Sequence, residues 1–205
     1  SIAAYNSVAI EWIICIFMIL AGVNFSLYFF LLTGRAREFF KNTELKAYFG
    51  ILFTSILIIT IFLVPQTNNI KEAFRLAAFQ TATIMSTTGF ATADYELWLP
   101  AAQLVLFFLM FVGGSSGSTS GGVKVIRWVI LGKQMHNEAK QMLHPHGVFS
   151  IRLNGEVGRK EVIYNVSAFF FLYFMLLVFT TFVVASSGID ILTSFTAALS
   201  SIGNR

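Results

Sequence analysis

Cysteine is almost missing from this sequence. The single one among 205 residues, Cys15, lies inside an apolar run, which excludes disulfide frameworks and cysteine-based metal centres. Charge is scarce as well. Asp, Glu, Lys and Arg make 12% of the chain, against roughly a quarter in a soluble domain. The three histidines, His136, His144 and His146, fall in one polar stretch, so no apolar segment carries one.

What the chain has instead is apolar length. Hydrophobic residues make 56%, phenylalanine alone occurs 23 times, and the mean hydropathy is +0.74. A membrane protein follows, with Met and aromatic side chains serving lipid contact and packing. Residues 8–32, 47–64 and 162–184 are each long enough to cross a bilayer, which takes roughly 18–25 residues. A fourth segment, 100–131, is apolar at both ends and interrupted by 113–122. Two shorter runs, 73–85 and 190–202, each follow a spanning segment. The order is span, span, half-helix, broken span, span, half-helix.

Charge orients this set. Eleven of the fourteen basic residues stand after the first span or around the far end of the broken one: Arg35, Arg37, Lys41, Lys46, Lys124, Arg127, Lys133, Lys140, Arg152, Arg159 and Lys160. By the positive-inside rule these loops are cytoplasmic and the half-helices enter from outside. The net charge of +4 is therefore a topology signal, and nucleic acid is not a partner. No cleavable leader is expected, because 8–32 is too long and lacks a basic stretch before it.

The first half-helix ends in Ser86-Thr87-Thr88-Gly89-Phe90. A run of about 13 residues is too short to cross, and irregular backbone at membrane depth is tolerated only inside protein or along a water-filled path. Small hydroxyl residues and a glycine can present backbone carbonyls to an ion, and the half-helix aims its negative end at the same place. The bland alternative is an ordinary Ser/Thr bend. In this context the turn reads as a cation selectivity filter, with Thr87, Thr88, Gly89 and Phe90 as ion-binding positions.

Gly113-Gly114-Ser115-Ser116-Gly117-Ser118-Thr119-Ser120-Gly121-Gly122 is the second signal. About 13 apolar residues precede it and cover roughly 20 Å of a 30 Å core at 1.5 Å each, so the break falls within the membrane. Ten Gly, Ser and Thr residues do not hold a helix there. The alternatives are a short cytoplasmic linker and a mobile intramembrane loop beneath the filter, able to block or open the path; the second fits better. All five hydroxyls are expected to satisfy loop backbone.

Enzyme patterns overlap this stretch. Residues 113–117 fit G-x-S-x-G, but a nucleophile elbow needs a preceding strand. Residues 114–117 fit the G-x-S-G of rhomboid-type intramembrane serine hydrolases, with Ser115 as nucleophile, yet the base histidine on a later span is missing. Residues 117–124 are no P-loop, since Val123 intrudes before the lysine. Lys124 and Arg127, one turn apart on the resumed helix, either snorkel to the surface or place positive charge at the pore exit. Residues 133–159 read as a solvated connector and docking surface. Glu11 reads as interfacial, with no role assigned.

The turn 86–90 followed by the loop 113–124 resembles the third repeat of the Trk/Ktr/HKT superfamily of potassium transporters. Ile10-Glu11-Trp12 through Ala21-Gly22-Val23-Asn24-Phe25 looks like the end of that superfamily's second repeat. Glu44-Leu45-Lys46-Ala47-Tyr48 favours the bacterial TrkH branch over KtrB. The resemblance implies an all-α membrane protein, built of pseudo-repeats of transmembrane helix, re-entrant pore half-helix with filter loop, and transmembrane helix, as in K+ channels. It implies K+ as permeant ion and the only metal, no covalent cofactor, no enzyme activity, and the 113–122 loop as gate. It implies a homodimer in lipid with a cytosolic nucleotide-binding, TrkA-like regulatory subunit, in the bacterial inner membrane as a multi-pass protein. It adds Asn204 as the start of the next filter turn, which should continue with an apolar residue and Gly-Pro-Gly where Arg205 stands.

The organisation expected is thus 1–34 as the last helix of a preceding repeat, 47–136 as a complete pore repeat, 137–160 as a cytoplasmic loop, and 161–205 as the start of the next repeat. That makes the chain an internal piece of a larger protein. The competing readings are the Ser115 hydrolase and a non-conducting membrane fragment.

Overall fold

The computed structural model describes residues 2–5, 7–144, 150–154, 156–158 and 160–204. His146, Arg159 and Arg205 lie outside them. The described residues are helical apart from turns, the glycine-rich loop and one minimal hairpin.

Among the described residues, two single helices are long and apolar enough to cross a membrane: α4, Thr43–Thr67, and α8, Lys160–Ala185. At 1.5 Å per residue, α4 is roughly 37 Å long, more than a 30 Å hydrocarbon core. Each is followed by a shorter helix that folds back on it, α5 (Ile70–Met85) after α4 and α9 (Ile191–Gly203) after α8. Local chemistry starts both short helices. The Asn69 side chain accepts from Lys71 N–H at 3.0 Å, and Asp190 accepts from Thr193 N–H at 3.0 Å, each satisfying a donor the helix leaves orphaned.

The first apolar segment departs from expectation in one respect. Residues 8–32 are not one continuous helix but two, α1 (Val8–Ala21) and α2 (Phe25–Leu32), bent by 96° at Gly22-Val23-Asn24, which together have the length and apolarity of a broken span. Asn24 caps α2 by accepting from Ser26 N–H at 2.9 Å. Carbonyls exposed by the break are taken up by another part of the chain, described below. A short helix α3, Ala36–Lys41, leads into α4.

The broken span is broken where the glycines are. α6, Pro100–Leu109, begins on a proline, which costs nothing at a helix start. α7, Val125–Leu143, resumes after the loop and extends beyond the 136 boundary read from sequence. A two-residue hairpin, β1 (Arg152–Leu153) with β2 (Glu156–Val157), follows. It does not float as a solvated connector, because Asn154 Oδ1 accepts from Thr43 N–H at 2.8 Å, at the first residue of α4.

Two buried apolar clusters result. One gathers Cys15, Tyr48, Leu52, Ile59, Phe79 and Met85 from α1, α4 and α5, with Ala102 and Leu106 of α6. The other joins Ile130, Phe170, Leu177 and Leu199 of α7, α8 and α9.

Candidate functional site

The end of α5 is set by two departures from helix, at Thr87 and Gly89. Ser86 is the last residue in right-handed geometry, Thr87 turns left-handed at φ 55°, and Gly89 again at φ 76°. A left-handed β-branched threonine is uncommon and survives only where its surroundings fix it. The fixing comes largely from Thr83. Its carbonyl accepts from Thr88 N–H at 3.0 Å, and its buried hydroxyl accepts from Phe90 N–H at 2.8 Å. Ser86 and Thr88 hydroxyls share a further bond at 2.7 Å. The turn 86–90 is thus held from behind, by side chains and amides of its own helix.

α9 ends the same way. Gly203 is its last residue, and Asn204 is left-handed at φ 55°. Thr87 and Asn204 therefore occupy matching positions at the ends of two half-helices.

The glycine-rich loop is closed at its neck. Val112 and Val123 form a parallel bridge, Gly113 N–H donates to Val123 carbonyl at 2.9 Å, and Val125 N–H donates to Gly114 carbonyl at 3.1 Å. Its tip reaches the α1–α2 break. Ser115 N–H donates to Gly22 carbonyl at 2.8 Å, Thr119 hydroxyl donates to Ala21 carbonyl at 3.2 Å, and Phe25 N–H donates to Gly117 carbonyl at 3.1 Å. Backbone groups orphaned by the bend and by the loop therefore satisfy one another, which is the physical reason both irregularities persist.

The loop also meets both half-helix ends. Gly121 N–H donates to Thr87 Oγ1 at 2.7 Å. A Cβ on Gly121 would run into the Gly203 carbonyl oxygen, so only glycine lets the chain pass this closely. From α4, the buried Glu44 carboxylate accepts from Ser116 N–H at 2.6 Å and from Ile126 N–H at 3.2 Å, through the same oxygen. Of the five loop hydroxyls, Ser118 and Thr119 bond to carbonyls, whereas the buried Ser115 and Ser120 hydroxyls have no protein partner. The expectation that all five would satisfy the backbone is corrected accordingly.

Lys124 and Arg127 do different work. Lys124 is the N-cap of α7, and its ammonium turns back to donate to Ser120 carbonyl. The Arg127 guanidinium lies over the Phe169 ring of α8, 3.7 Å from its centre, a cation–π contact.

The family profile described as "TrkH: Cation transport protein" matches residues 1–205. The chain belongs to the TrkH family. It is 31% identical over its whole length to the Trk system potassium uptake protein TrkH of Escherichia coli K12, of which it covers 43%. It is 28% identical over 94% of its length to the Trk system potassium uptake protein TrkI of Halomonas elongata, covering 39% of that protein. The crystal structure of the potassium transporter TrkH from Vibrio parahaemolyticus superposes with a TM-score of 0.92 at 31% identity, over the whole chain and 45% of that structure. The chain thus spans less than half the length of the curated relatives it matches. TrkH-family membership makes it part of a membrane transport protein rather than an enzyme. The Ser115 hydrolase reading fails on geometry as well: that hydroxyl is buried without a partner, and the described histidines, His136 and His144, sit exposed on or at the end of α7.

Two residues of the site, Glu44 and Thr83, and one away from it, Glu11, escaped the sequence reading. Glu44 served there only to sort family branches. Thr83 was one apolar-run residue among many. Glu11, left without a role, is buried and faces Arg75 of α5 at 3.3 Å. An acidic side chain in the first turn of an otherwise apolar helix was the available signal for both glutamates.

Proposed function

We propose that the whole protein, of which this chain is part, takes up K+ across a bacterial inner membrane through a pore lined by the 86–90 turn and its counterparts. Carbonyls of Thr87, Thr88, Gly89 and Phe90, with Asn204 in the neighbouring unit, form the ion-binding positions. The 113–122 loop is the gate, lying across the path beneath them, and Lys124 and Arg127 place positive charge at its cytoplasmic exit. The protein is a multi-pass homodimer in lipid, and a TrkA-like, nucleotide-binding subunit on the cytosolic side acts on the loop through α7. The names of the relatives, all Trk system potassium uptake proteins, support K+ as cargo.

The observation that carries this reading is the bond from Gly121 N–H to Thr87 Oγ1 at 2.7 Å. It brings the glycine-rich loop directly against a turn built of left-handed residues at the end of a half-helix, which is where a blocking segment has to be. The loop is also rich in small residues with two stable options: bonded to its present neighbours or solvated.

Gly89 provides the test. A side chain at φ 76° costs about 1–2 kcal/mol and re-aims the adjoining carbonyls. Gly89→Ser in the full-length transporter is expected to lower K+-over-Na+ discrimination about tenfold, the factor 1.4 kcal/mol corresponds to, with membrane insertion intact. Isotope flux in proteoliposomes reads this, and unchanged discrimination would overturn the filter assignment.

A further inference from the structure

We propose that Glu44 is the positioning residue that joins the glycine-rich loop to the first turn of α7 and holds both against α4 as one unit. The functional consequence rests on the loop being a gate; the structural claim does not.

α7 begins without a cap of its own. Lys124, at the N-cap position, offers no side-chain acceptor, so the first-turn amides need one from elsewhere. Ile126 N–H finds it in Glu44, 82 residues earlier in the chain. A carboxylate is the acceptor best suited to the positive end of a helix. The same Glu44 oxygen accepts from Ser116 N–H, 72 residues away on the loop, at 2.6 Å. Loop and helix are therefore tied through one atom.

Apart from the Lys124 ammonium on the Ser120 carbonyl, the other bonds holding the loop tip use neutral groups: carbonyls of Ala21 and Gly22, the amide of Phe25 and the hydroxyl of Thr87. The Ser116 bond to Glu44, at 2.6 Å, has the short length of a charge-assisted bond, whereas the Ile126 bond, at 3.2 Å, is the longer arm of the pair. Glu44 is buried and sits in the first turn of α4, a helix seated in the larger core. A displacement of α7 against α4 stretches the Ile126 bond and disturbs the Ser116 bond with it. Movement of the cytoplasmic helix is thereby delivered to the loop without any contact between the regulator and the loop itself.

The test uses the full-length transporter with its native cysteines replaced and one cysteine introduced, as Ser120→Cys, at a buried loop position. The rate at which a small methanethiosulfonate reagent modifies it reads loop release. Glu44→Ala should raise that rate about tenfold, in line with loss of a charged hydrogen-bond partner. Glu44→Gln keeps the acceptor oxygen and should stay within about threefold of the parent. Glu44→Asp keeps the charge but withdraws the oxygen by one methylene, and should fall between them. In a parallel set without Ser120→Cys, in which the native Cys15 on α1 is the one cysteine kept, the parent and the three Glu44 variants should all react at one rate.

No acceleration at position 120 in the Ala and Asp variants, or equal acceleration at position 15, would overturn the proposal. If Glu44→Ala does not reach the membrane, the Asp and Gln pair decides alone. Cation flux in the same proteins separates the two claims. Faster modification with unchanged flux keeps the role of Glu44 and removes the gate; unchanged modification removes the role of Glu44 whatever the flux.

Discussion

The α4–α5 unit and the α8–α9 unit share one plan, a membrane-length helix followed by a half-helix that ends left-handed, but they are buried to different depths. Their long helices are equally apolar, at mean hydropathy 2.5 and 2.4 over the best window, yet 39% of that window is buried in α4 and 17% in α8. α4 packs against α3, α5, α6 and α7, whereas α8 rests mainly on α9 and α7. The half-helices follow suit. α5 buries Ala73, Ala77, Phe79, Ala82 and Met85, whereas α9 buries chiefly Ala198 and Leu199. Apolarity sends both units into the membrane; within this part of the protein, contacts among its own helices bury the first more deeply than the second.

The sharpest way to break this comparison is to truncate the middle of each long helix. Ile59 is fully buried in α4, and Leu176 is about half exposed in α8. Ile59→Ala should cost about 2–5 kcal/mol, as a cavity that cannot collapse. Leu176→Ala should stay within about 0.5 kcal/mol if the rest of the protein leaves Leu176 as open as this part of the chain does. Thermal melts of the two full-length variants in detergent, read by size-exclusion fluorescence, measure the difference. Equal losses of melting temperature would mean the two units are packed alike.

Next in size is the hold on the α5 turn. Thr83→Val keeps the shape and leaves Phe90 N–H without its acceptor, a loss of about 0.5–1.5 kcal/mol for a part-buried hydrogen bond. K+ uptake should fall and K+-over-Na+ discrimination should weaken, while Thr83→Ser, which restores the hydroxyl, should recover both. Equal behaviour of the Val and Ser variants would show that the hydroxyl does not position the turn.

The smallest effect lies at the helix starts, where the units differ in chemistry. Asn69 caps α5 with a group that does not titrate, and Asn69→Ala should cost about 1 kcal/mol. Asp190 caps α9, and bonds from Thr193 hold its carboxyl below the usual carboxylate range. A folded-state value below the unfolded one stabilises above the unfolded value and is lost as pH falls through the folded one. Acidification below the ordinary Asp range should therefore lower the protection of Thr193 N–H against hydrogen exchange, relative to the intrinsic rate at each pH, and leave that of Lys71 N–H unchanged. Mass-spectrometric exchange at both amides checks it, and parallel loss of protection would show that the Asp190 cap plays no separate part.

Much of the architecture was legible in the residues because it depends on local composition. Apolar length places α4 and α8, runs too short to span place α5 and α9, and ten Gly, Ser and Thr residues break the span at 113–122 wherever they stand. The glycine of the 86–90 turn was legible in the same way, and Gly89 stands left-handed. The left-handed Thr87 was not, since no local preference favours it and Thr83 and Gly121 together fix it.

The bend inside residues 8–32 was hidden for a related reason. Locally those residues read as one apolar helix, and the break is stabilised by Ser115 and Thr119, the latter 98 residues from the Ala21 carbonyl it meets. Glu11 needed Arg75 beside it, and Glu44 needed both Ser116 and Ile126, before either could be more than a surface charge. The sequence by itself determined where the chain is apolar, where it must break and which end is basic, because each of these is a property of neighbouring residues. Only the tertiary structure decided which carbonyls, amides and carboxylates meet at the loop, because a buried hydrogen bond has two ends and the chain keeps them far apart until it folds.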